Sequence, residues 1–257
     1  MDKLDNPARR LHALYTAFEK HGGRRSDQNK TVARSAWAAA LGLDEEEELP
    51  ELLAQFGVIV GMPTIVRQRI AELPNDEDRD LLASHLNKFE HVFSSCGLHK
   101  PVREYRRSVG AHQIESLLHI GVALDRHGAR ELSIADDDLA RLQAQVAELF
   151  DEVRQGDLDP DLRAFVLRHL ERIERALRRV QVEGVQGLRE ALEVLAAEVI
   201  VEDHAPDGGR FREFLNNTVG IGAKLSRLAS SILTLIHLGE YAPGITEAVQ
   251  QMLPPGQ

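Results

Sequence analysis

Two sets of side chains in this sequence have the types and spacing to do chemistry. Arg79-Asp80 precedes His85 by six residues, which pairs a guanidinium able to steady developing negative charge with an imidazole able to move a proton. Arg107/His112 and Arg163/His169 fall in the same range, as chance supplies in a chain this rich in arginine, so only the Asp80 that follows Arg79 sets the first pair apart. His112, Glu115 and His119 stand at i, i+3 and i+7, a spacing that projects two imidazoles and a carboxylate from one helix face toward a metal. Ile114, Leu117, Leu118 and Leu124 take the opposite side, and no second helix offers further ligands, so the set reads as a solvated face and no metal site is assigned. Asp76, Asp78 and Asp80 read as complements to a helix N-terminus. Gly220-Ile221-Gly222 lacks the preceding strand of a dinucleotide loop and reads as a place of close helix packing. No GxxxxGK[ST], HExxH or GxSxG string occurs, which counts against an enzyme. No cofactor and no small-molecule ligand is called for.

The 257 residues carry 41 acidic and 31 basic side chains, a net charge of −10. Such a field repels nucleic acid and anionic lipid unless the cations are segregated. The best segregation is Arg163, Arg168, Arg172, Arg175, Arg178 and Arg179, yet Glu171 and Glu174 interleave and no aromatic platform accompanies them. Glu148, Asp151 and Glu152 of the preceding segment are the expected ion-pair partners. The run Asp44 to Glu48 has the wrong sign for a recognition helix and reads as a solvated entry to the helix at Pro50. Cys96 is the single cysteine, which excludes an internal disulfide and fits a reducing cytoplasm. The opening MDKLDNPARRLHALY breaks the apolar run a signal peptide needs, and the uncharged stretch Leu228 to Gly239 falls short of the ~20 residues that span a bilayer. No transmembrane helix is expected.

The elements that must position these groups read as all-α. Helices are predicted from Pro7 to Gly22, from Thr31 to about Leu41, from Pro50 onward with Pro63 kinking or splitting it, from Asp78 to Ser95, and from about Val102 to His127 with a weak point at Gly110. Trp37 among alanines reads as a core anchor. The clearest pattern follows. Leu139, Leu142, Val146, Leu149 and Val153 repeat in threes and fours, as do Leu162, Val166, His169 or Leu170, Ile173, Leu177 and Val180, and then Val185, Leu188, Leu192, Leu195 and Val199. Three such stripes joined by short turns predict a multi-helix bundle with a central antiparallel, heptad-like section. A last amphipathic helix runs from Arg210 to about Gly239. The expected organisation is a helical region over 1–130, the bundle over 131–204 and a C-terminal tail over 205–257.

The stretch DLDPDLRAFVLRHLERIERALRRVQVEGVQGLREALE, with NPARRLHALY and AWAAALGLD, resembles a group of uncharacterised all-helical bacterial proteins, which implies a bacterial cytoplasmic setting and no catalytic residue. The Arg79-Asp80…His85 string resembles the motif of HEPN-type ribonucleases, which implies a metal-independent RNA cleavage with Arg79 polarising a phosphate and His85 handling the proton. The first expectation for function is a non-enzymatic interaction or regulatory component working through helix faces. Its partner would be another protein or a second copy of the chain, docked on Phe211, Leu215, Leu225, Leu228, Ile232 and Leu235. The ribonuclease comes second, and a membrane-surface effector using residues 210–239 comes third. Nucleic acid and membrane therefore rank below protein as partners.

Overall fold

Asn6-Pro7 starts the first helix as the sequence predicts. The Asn6 carboxamide oxygen accepts from the Arg9 N–H at 3.1 Å, and Pro7 occupies a first-turn position where no N–H is needed. The computed structural model describes residues 4–23, 31–127, 131–132, 134–204 and 221–235. Eleven helices carry nearly all of these residues: α1 (Pro7–His21), α2 (Ala33–Leu41), α3 (Leu49–Ala71), α4 (Asp76–Ser84), α5 (Asn87–Ser95), α6 (Val102–Ser108), α7 (Ala111–Arg126), α8 (Asp136–Gln155), α9 (Pro160–Glu183), α10 (Gln186–His204) and α11 (Ile221–Leu235). Two-residue strands at Leu4–Asp5 and Glu131–Leu132 pair with each other and add no layer, so the fold is all-α.

The chain divides into two units. The first is Leu4–Glu131 with the short piece Gln181–Gly184. Its core is built on rings: Trp37 is fully buried, stacked on Phe18 at 4.4 Å and edge-on to Tyr15 at 5.5 Å, with Phe89 edge-on to Tyr15 at 5.0 Å. Such pairs add roughly 0.5 to 1.5 kcal/mol each beyond the area they bury. The first turn of α2 is completed by a distant segment, because the N–H groups of Ala33 and Arg34 donate to the carbonyls of Lys100 and Leu98 at 2.8 Å. Gly42 ends α2 in the left-handed region at φ +69°, and the first unit also holds a polar knot. The buried Asn6 amide donates to Gly121 O at 3.1 Å and to Asp125 Oδ1 at 2.7 Å, and the Arg9 guanidinium donates to Asp125 Oδ2. That knot fastens the start of α1 to the last turns of α7, and Gly121 leaves the room it needs: a Cβ there would come within 2.9 Å of the Arg9 side chain.

Three expectations are corrected in this unit. Of the two outcomes expected at Pro63, a kink or a split, the split does not occur: α3 is unbroken over 23 residues with Pro63 buried inside it. The predicted Asp78–Ser95 helix is two helices, α4 and α5, separated where His85 and Leu86 donate to Leu82 and Ala83 three residues back. Both halves of its stripe still serve one core, since Leu86 and Phe89 are buried and Leu82 and Phe93 pack against them. The predicted Val102–His127 helix is two helices, α6 and α7, parted at the expected weak point Gly110, whose N–H donates to the Gln113 side chain as α7 begins.

The second unit takes in the described residues of 132–180 and 185–235. Its core is aliphatic and follows the predicted stripes. Leu142, Val146, Leu149 and Val153 of α8, Val166, Leu170, Ile173 and Leu177 of α9, and Leu188, Leu192, Leu195 and Val199 of α10 are all buried in it. Within the range expected as a C-terminal tail, the described helix α11 contributes Leu225, Leu228, Ala229 and Ile232 to the same core. The bundle has a fourth described helix where the sequence reading counted three.

Candidate interaction surface

The groups that looked chemical are mostly occupied by structure. Arg79 sits in α4 and its Nε donates to the Leu73 carbonyl at 2.5 Å, a bond that satisfies the chain end left by α3. His85 lies beyond the end of α4, its ring half-buried and 6.3 Å centre to centre from that of His112. His112, Glu115 and His119 are exposed on α7, as the solvated-face reading expects.

The expected partner-binding set divides. Phe211 and Leu215 lie outside the described residues. Leu225 is 1% exposed, Leu228 and Ile232 are buried, and Leu235 packs against the same core, so these four side chains hold α11 to its own bundle and leave no displayed apolar face. The physical reason is plain: three heptad stripes leave a gap that a fourth closes. A groove of about 250 Å³ between α8 and α11, lined by Glu148, Leu149 and Lys224, is below the usual range for ligand pockets. Lys224 bridges Glu148 and Glu152 beside it, which raises the Lys224 pKa.

Arg163, Arg168 and Arg172 of α9 find partners other than the predicted ones. Arg168 reaches Glu198 of α10 at 2.7 Å and Arg172 reaches it at 3.8 Å, while Arg163 caps the carbonyls of Gly156 and Leu158. Glu148 and Glu152 pair with Lys224 instead. Beneath Glu198 lies His169, fully buried, its Nε2 3.2 Å from the carboxylate and its ring 4.5 Å from that of Phe165. Burial holds the imidazole below its usual pKa and outweighs the pull of Glu198 toward protonation.

The surface that has no such explanation is on α3. One face of this helix, through Leu52, Ile59, Met62, Val66 and Ile70, is buried in the first unit's core. The opposite face shows Leu53 at 53%, Val60 at 38% and Ile65 at 42% exposure, with Ala54, Gly57 and Thr64 also exposed. At 100° per residue all six fall within one stripe, with Gly61 between them. A Cβ added at Gly57 or Gly61 would meet nothing within 4 Å, so the helix backbone itself is open to approach. Among the described residues α3 is the helix long and apolar enough to cross a membrane by length and composition, and only a third of its most apolar window is buried. The sequence reading missed this. The signal was present as the uncharged run Leu52–Val66, longer than the C-terminal stretch that drew attention, but a run apolar on every side does not say which side stays outside.

Charged groups stand at both ends of this face, in excess acid at the first and as matched ion pairs at the second. Asp44 Oδ1 accepts from the N–H groups of Glu46 and Glu47, which lowers the Asp44 pKa and fixes an acidic turn ahead of α3. The carboxylates of Glu46 and Glu47 have no ion-pair partner among the described residues. At the other end stand Arg67, held by both oxygens of Glu90, and Arg69, 3.4 Å from Glu72. No family model matches this chain, and neither a curated protein nor a solved structure does. The resemblance of 157–193 therefore stands as one of helix-packing pattern, and nothing supports the bacterial origin it implied.

Proposed function

We propose that this protein is a non-enzymatic helical interaction component that acts by helix-face docking, and that the docking face is the exposed stripe of α3. The observation that carries the reading is a helix that anchors one side in the core while its other side presents Leu53, Val60 and Ile65 around two open glycines. Scattered exposed apolar residues are ordinary, whereas several on one uncharged stripe mark a contact surface. Leu225, Leu228 and Ile232 of the C-terminal set are buried and Leu235 is partly so, which turns the docking reading to α3. A reducing cytoplasm suits the single, buried Cys96.

Affinity capture from the native host tests it, with wild type set against Val60→Lys and Ile65→Lys after circular dichroism has shown unchanged helicity. The expected result is a stoichiometric protein held by wild type and lost from both variants. A protein held equally by all three would remove the docking role from α3. Co-purified RNA without protein would favour the ribonuclease alternative, against which stands the engagement of Arg79 Nε by Leu73 O. In that event His85→Ala must abolish cleavage of the bound RNA.

A further inference from the structure

We draw no further inference here: the strongest candidate, the exposed apolar stripe of α3 through Leu53, Val60 and Ile65, belongs to the docking surface already described, and nothing in the structure shows what covers it.

Discussion

The two units of this chain solve the same packing problem with different materials. The second uses long helices and an aliphatic core, in which Leu and Val recur every three or four residues and the stripes alone choose the faces that meet. The first sets four helices of seven to nine residues among the longer α1, α3 and α7 around a ring cluster, with Tyr15, Phe18, Trp37, Phe56, Phe89, Phe93 and Tyr105 in or against one core and an Asn6–Arg9–Asp125 knot beside it. Long helices can average many small contacts along a regular seam. Helices of seven to nine residues have only two turns to present, so a few large side chains with defined geometry must locate them.

That contrast predicts where damage goes. Phe18→Ala removes the ring stacked on Trp37 and should cost about 3 to 5 kcal/mol. Trp37 is the sole tryptophan, so its fluorescence reports the first unit alone, and the fluorescence transition should fall while the bundle's share of the circular dichroism signal holds. A matching fall in both signals would break the comparison. Next in size, Asp125→Ala should cost the first unit about 2 to 3 kcal/mol, the worth of hydrogen bonds to a charged group, with Asp125→Asn milder because it still accepts from Asn6. Urea titration followed by fluorescence measures both variants.

For the second unit the sharper probe is pH. The folded His169 has a pKa below the unfolded value of about 6.5. Above that value its contribution is fully present. As pH falls through it the unfolded chain takes up a proton that the buried ring resists, so stability is lost in acid. Glu198, with a lowered pKa, contributes above its ordinary carboxylate range and loses that contribution only at lower pH, so the two windows separate. Chemical unfolding of the bundle between pH 7.5 and pH 5.5 should show a declining midpoint, and His169→Phe should flatten it. An unchanged slope would dissociate the effect from this ring. Smallest of all, Arg178→Ala removes an exposed pair with Glu174 one helical turn away and should shift stability by no more than about 0.3 to 0.5 kcal/mol, measured by the same unfolding.

Legibility followed the same division. The boundaries of α1, the cap at Asn6 and the stripes of α8 to α10 could be read because each rests on neighbours within a turn or two. The break at His85–Leu86 could not, because the 3-4 spacing of Leu82, Leu86, Phe89 and Phe93 continues through it; only packing shows that both halves enter one core by a bent path. A split at Pro63 was expected from a local rule against proline mid-helix, whereas Pro63 is buried within a continuous α3 despite the missing N–H.

By itself the sequence determined an all-α chain, its cysteine chemistry, its acidic balance, the long helices of the second half and the core role of Trp37, all of which follow from composition or from periodicity along one helix. The tertiary structure alone decided which apolar faces are covered. It closed Leu225, Leu228 and Ile232 into the bundle, engaged Arg79 on Leu73 and left Leu53, Val60 and Ile65 outside. Amphipathicity is a property of one helix, but exposure is a property of its neighbours, and no spacing along the chain records who those neighbours are.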